Sequence, residues 1–176
     1  MFAKTVTATI RDRKYHLAYT AKAMFELMDL LGDKELMRVM IDNSPEGYRD
    51  ICQAAEIMSR AAEELRRYEG QDAGEILSAD ELMISARPVD LLELKTAMTQ
   101  AVAYGYGREI ENKTEEIDLG LAELQKKNRI SRAAFLSMAL SLGLSVLETE
   151  YMSPGRVYDL AELHIRRMGG YKEREV

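Results

Sequence analysis

A single cysteine, three prolines and two histidines among 176 residues exclude several kinds of protein before any pattern is read. Cys52 has no second thiol, so no internal disulfide forms; its place in a predicted helix makes it a small core residue and points to a reducing compartment. Neither His16 nor His164 has a histidine, a cysteine or paired carboxylates at ligand spacing, which argues against a metal site. His16 reads as a surface or edge residue of a strand, His164 as a partly buried residue of a helix. No run of residues approaches the roughly 18 apolar positions of a membrane span, and the alternating start MFAKTVTATIRDRK is unlike a signal peptide, so a cytoplasmic location is expected. Excess positive charge is missing too. A net charge of −6 disfavours nucleic acid and anionic membranes as partners. There is no glycine-rich phosphate loop, nucleophile elbow or dinucleotide fingerprint. The acidic pairs Glu63-Glu64, Asp80-Glu81 and Glu115-Glu116 read as solvated helix faces. No catalytic residue and no cofactor is expected.

What is present is 47% hydrophobic residues, enough to build a core without covalent staples. The opening alternates, with Phe2, Val6, Ala8 and Ile10 on one side and Thr5, Thr7 and Thr9 on the other. Arg11 to Lys14 is a polar turn, and Tyr15, Leu17 and Tyr19 alternate again, so residues 2 to 19 are a predicted β-hairpin. Helical signals follow. Thr20 caps a helix bearing Met24, Leu27, Met28 and Leu31 and stopped by Gly32; Asp33 caps a shorter one; Ser44-Pro45 opens a long one with a stripe from Tyr48 to Leu65. Ser78 to Glu81 has capping-box spacing, and Arg87-Pro88 starts a helix whose two apolar faces, Leu91 to Gly105 and Val89, Leu92 and Thr96, suggest central burial. A weaker helix is placed over Leu119 to Lys127. Ser131 caps another, closed by Gly143; Ser145 to Glu148 is a second capping box, and Ser153-Pro154 begins a last helix ended by Gly169-Gly170. The fold class is therefore mainly α: an N-terminal β-hairpin followed by a bundle of about six to eight helices.

The charge is unevenly divided. Residues 1 to 128 sum to −7 and residues 129 to 176 to +1, which suggests an N-terminal hairpin plus helical domain over 1–127 and a C-terminal helical module over 128–176. Eleven methionines, among them Met24, Met28, Met37, Met40 and Met58 on apolar faces, fit core filling or a repacking binding groove. Ser131 to Tyr151 imitates a helix-turn-helix, yet Glu148 and Glu150 on its second helix would repel phosphates. A DNA-binding regulator or another helical adaptor is thus the alternative reading.

Two stretches carry a family resemblance. TVTATIRDRKYHLAYTAKAMFELMDLLGD and AFLSMALSLGLSVLETEYMSPGRVYDLAEL, about a third of the chain, resemble the start and the C-terminal extension of tail assembly chaperones of long-tailed bacteriophages and prophages, of the type found in Gram-positive hosts. The resemblance implies a non-enzymatic factor of the host cytoplasm, absent from the mature virion. Its partners would be the tape measure protein, kept soluble by the N-terminal part, and the tail tube protein, recruited by the extension. In such proteins the extension often arises from a ribosomal frameshift, for which Gln125-Lys126-Lys127 is a candidate junction. Residues 70 to 120 match no part of the pattern. Candidate partner-binding residues are Tyr15, Tyr19, Met24, Phe25 and Met28 on the hairpin and first helix, and Tyr151, Met152, Pro154 and Tyr158 around the last helix start. The threonine-rich hairpin edge suggests self-association.

Overall fold

The computed structural model describes residues 2–109 and 130–168. Within them the chain is mainly helical, with one N-terminal β-hairpin and eight helices. Strands β1 (Thr5–Ile10) and β2 (Arg13–Ala18) are antiparallel, with Val6 opposite Leu17 and Ala8 opposite Tyr15. Only Arg11 and Asp12 connect them, both at positive φ (50° and 65°). That turn matches the right-handed twist of the strands, although neither residue is the glycine or asparagine that adopts it at least cost. The Arg11 N–H donates to Asp90 Oδ1 at 3.3 Å, which fixes the turn against a later helix.

Helix α1 (Ala21–Leu31) starts at Thr20, whose hydroxyl accepts the Ala23 N–H, and stops at Gly32 with φ 57°. Helix α2 (Leu36–Ile41) is capped by Glu35 without a side-chain bond, not by Asp33. The intervening turn runs on through Lys34, whose N–H closes on the Leu31 carbonyl and whose ammonium reaches Glu46 and Asp50, so the helix starts later. Helix α3 (Pro45–Tyr68) is capped by Ser44 and buries Ile51, Cys52, Ala55, Met58, Ala62 and Leu65. Helix α4 (Ala79–Ser85) follows, with Ser78 accepting the Glu81 N–H. Helix α5 (Pro88–Tyr106) opens where Asp90 accepts from the backbone and guanidinium of Arg87.

Helix α6 (Arg132–Ser141) has Ser131 as its cap and a Schellman end: Gly143, at φ 84°, donates to Leu140, and Leu144 donates to Ala139. The capping box at Ser145 opens α7 (Val146–Tyr151), with Ser145 and Glu148 bonded reciprocally. Helix α8 (Pro154–Arg167) completes the described chain. The helix expected over Leu119 to Lys127 and the stop at Gly169-Gly170 lie outside the described residues. No described helix is long and apolar enough to cross a membrane.

The hairpin lies across two helices, β2 over α3 and β1 over α5. Arg11 meets Asp90 at one end of α5 and Lys4 sits 5.5 Å from the Tyr104 ring centre at the other. The helical span is about 21 Å and the strand span about 23 Å, so β1 runs along nearly the whole of α5. One apolar cluster joins Leu17, Leu27, Met58 and Met98 with Phe135, Ala139, Met152 and Val157, so residues from both sides of the charge break share a core. The Ala3 N–H donates to the Tyr151 carbonyl at 3.1 Å and the Ala21 N–H to the Met152 carbonyl at 2.8 Å. Helix α8 meets the end of α5 so closely that a Cβ on Gly155 would lie 2.5 Å from the Gly107 carbonyl oxygen.

Three local expectations are corrected. Glu63 is fully buried instead of solvated: its carboxylate accepts from His16 Nδ1 at 2.8 Å and from the Gly74 N–H, as a carboxylate removed from water requires. His164 is exposed, because α8 turns Val157, Asp159 and Glu162 inward. The second apolar face of α5 is not buried; Val89 is 62% exposed and Leu92 67%.

Candidate functional site

Most of the nine residues nominated for partner binding are held inside the folded chain. Tyr15, Tyr19, Met24, Phe25, Met152 and Pro154 are buried, while Met28, Tyr151 and Tyr158 are half-buried. The structure gathers several of them around Phe135, whose ring stands edge-on to Phe25 (5.4 Å between centroids) and to Tyr158 (5.6 Å). Tyr19 and Tyr106 share a hydrogen bond between their hydroxyls at 3.0 Å. Burial, reinforced by Tyr106, holds the Tyr19 hydroxyl well above the usual phenol range, and burial raises that of Tyr158 to about 12. Tyr151 belongs to a separate group, tilted at 32° against Tyr68 (4.8 Å), which in turn meets Phe2 (5.1 Å). Tyr15 and Met152 join neither ring group. The two ring groups fasten helices α6 to α8 onto α1 and α3.

The exposed apolar surface is made by other residues. On α5 the outward positions Val89, Leu92, Thr96, Thr99, Ala103 and Tyr106 recur at alternating spacings of three and four, so they form one stripe along the helix. Only Glu93 adds an exposed charge to the helix, since Asp90 is buried and Lys95 half-buried. Thr99 donates to the Met40 sulfur at 3.3 Å, which brings α2, with its exposed Met37 and Ile41, beside this stripe. A helix that is nearly as apolar outside as inside is ordinarily one that has a neighbour on both sides.

The second surface is the α6–α7 pair. Residues 133 to 147 contain no charged side chain. Phe135 and Ala139 turn inward, leaving Leu140 (52% exposed), Val146 (45%) and Leu147 (49%) around the Schellman turn. An ion pair from Arg132 to Glu150 and the capping carboxylate of Glu148 border the patch with charge. An apolar centre with a polar rim is the anatomy of a protein-binding surface. The signal that finds it in the sequence is the uncharged run itself; the aromatic residues nominated near Ser153-Pro154 turn inward instead.

Elsewhere charge is consumed locally. The Arg108 guanidinium bonds Asp159 and Glu162, Glu162 also holds Arg166, and Arg156 reaches Glu109. Of these residues Arg108, Glu109, Arg156 and Asp159 line a cleft of about 180 Å³ with Phe2, Lys4 and Tyr104. Hydrogen bonds from the Arg87 guanidinium, then from its backbone and from Arg11, hold the Asp90 carboxyl well below the usual carboxylate range. Burial pushes the Cys52 thiol up, against the effect of Tyr48. Among the described residues no three His, Cys, Asp or Glu side chains converge as a metal site. Comparison with protein-family models, with curated proteins and with solved structures found no match.

Proposed function

We propose that this chain is a non-enzymatic assembly chaperone that covers apolar helical surface on a partner protein, as its resemblance to phage tail assembly chaperones implies. The observation that carries the reading is the exposed apolar character of two helical surfaces, the α5 stripe and the α6–α7 patch, on a chain whose other exposed faces are rich in ion pairs. The α5 stripe, with Met37 and Ile41 beside it, suits a long amphipathic helix, and the client is the tape measure protein. The flexible Met37 side chain beside the stripe adapts to successive segments of such a client, and many weak copies along it gain by multivalency. The α6–α7 patch is assigned to the tail tube protein. Work of this kind takes place in the host cytoplasm before the virion is complete.

The test is co-expression with a phage tape measure protein, scored by the soluble fraction of the client. The client is expected to precipitate alone and to stay soluble with the wild-type chain, whereas Leu92→Lys, at an exposed position, loses the protection without unfolding. Leu147→Lys is expected to lose capture of the tube protein while keeping the client soluble. Equal client solubility with and without the chain overturns the proposal.

A further inference from the structure

The two edges of the hairpin differ in chemistry. Across a two-residue turn Ile10 and Arg13 form the first hydrogen-bonded pair, and pairing then alternates, so the backbone groups of Thr5, Thr7 and Thr9 point away from β2. Among the described residues, none of these three N–H or C=O groups bonds to protein backbone. The next outward N–H, that of Ala3, already donates to Tyr151, so the edge is closed at one end and open over Thr5 to Thr9. Proteins blunt a free edge with charge, proline or a bulge. The β2 edge follows that rule, with Lys14 and His16 at its outward positions and Arg13 beside them. The β1 edge breaks it: Thr-Val-Thr-Ala-Thr-Ile carries no charge and no proline, and all three threonines are exposed.

We propose that β1 pairs antiparallel with β1 of a second copy of this chain, about a two-fold axis at Thr7, to make one four-stranded sheet. The sequence is complementary to itself in that register. Thr7 faces Thr7, Thr5 faces Thr9, and on the inner face Val6 meets the smaller Ala8. Threonine against threonine is a favourable cross-strand pair, and the three outward pairs make about six hydrogen bonds between the copies. A closed two-fold contact of this kind leaves no edge for further growth at β1.

This proposal does not rest on the client reading, and it is tested on the full chain alone. Sedimentation of the wild type from micromolar concentration up to about 0.2 mM is expected to show a species of twice the 20.0 kDa chain mass, increasing with concentration. Thr7→Lys places like charges across the axis, and Thr7→Pro removes an outward N–H at a position where an edge strand tolerates proline. Both are expected to sediment as monomer with an unchanged helical spectrum; should Thr7→Pro not fold, Thr7→Lys decides. Lys14→Pro, on the opposite edge, is expected to leave the dimer intact. Slow amide exchange at Thr5, Thr7 and Thr9 in the wild type, and fast exchange in Thr7→Lys, locates the contact. A wild type that stays monomeric throughout, a Thr7→Lys variant that dimerises as the wild type does, or a dimer in which those three amides exchange freely overturns it.

Discussion

Phe135→Ala removes the ring on which the C-terminal helices hang. Phe135 has no exposed surface and stands edge-on to both Phe25 of α1 and Tyr158 of α8. Truncating a fully buried phenylalanine costs about 3–5 kcal/mol through lost transfer energy and the cavity left behind. Two aromatic pairs, at about 0.5–1.5 kcal/mol each beyond area burial, favour the upper half of that range. Against a total stability of about 5–15 kcal/mol this is a large share, and for a chain of this size the melting temperature falls roughly 6–20 °C. The informative measurement is urea unfolding followed by far-ultraviolet dichroism for the helices and by near-ultraviolet dichroism for the tyrosines. Because Phe135 shares one apolar cluster with Leu17, Leu27 and Met58, both signals are expected to shift together to the lower midpoint. A loss below about 1 kcal/mol refutes the packing argument. A second transition that keeps the wild-type midpoint would show residues 130–168 to be an independent module. Truncation after Lys127 gives the harsher form of the same test, since it strips cover from Phe25 and Tyr68 and leaves the Ala3 and Ala21 N–H groups without acceptors.

Two further outcomes follow from single contacts. The folded-state pKa of Asp90 is depressed, so its ionised form stabilises the fold above the unfolded-state value near pH 4, and that contribution is lost as pH falls below it. The stability difference between wild type and Asp90→Asn in urea is therefore expected to be constant above about pH 5 and to shrink toward pH 3; an unchanged difference at pH 3 contradicts the assignment. Gly155→Ala forces a methyl group onto the Gly107 carbonyl, backbone against backbone, and is expected to cost about 1–3 kcal/mol by chemical denaturation; a neutral result would mean that α8 moves away from α5 freely.

The parts of this fold that are legible in the sequence are those decided within a few residues. Thr20, Ser44, Ser78, Ser131 and Ser145 announce their helices because a cap is a bond between neighbours, and Pro45, Pro88 and Pro154 fit first turns for reasons internal to one residue. The hairpin is legible because Val6, Ala8 and Ile10 alternate with threonines. What distant residues decide was not legible. Glu63 looks like any solvated glutamate until His16 and Gly74 close over it. The start of α2 depends on Lys34 reaching Glu46 and Asp50 across a turn. The same limit governs the candidate surfaces. Aromatic and methionine residues mark an interface and a core equally well, and Tyr19, Phe25 and Met152 proved to be core. The absence of charge from Ala133 to Leu147 is a different kind of signal, because a core-facing helix can still carry charge on its outer side whereas this run does not.

The two bonds that tie Ala3 to Tyr151 and Ala21 to Met152 also set an order of events during synthesis. A ribosome releases residues from the N-terminus first, and Met152 is made 131 residues after Ala21. At about 5–20 residues per second the hairpin therefore waits roughly 7–26 s before the segment that anchors both of its ends exists. Helices α3 and α5 reach the underside of the sheet sooner, but through that interval Phe25 of α1 has no permanent cover. The first residues to emerge are among the last to be secured, so the burden of avoiding premature association falls on the nascent chain, at the point in its life when its neighbours on the same message are closest.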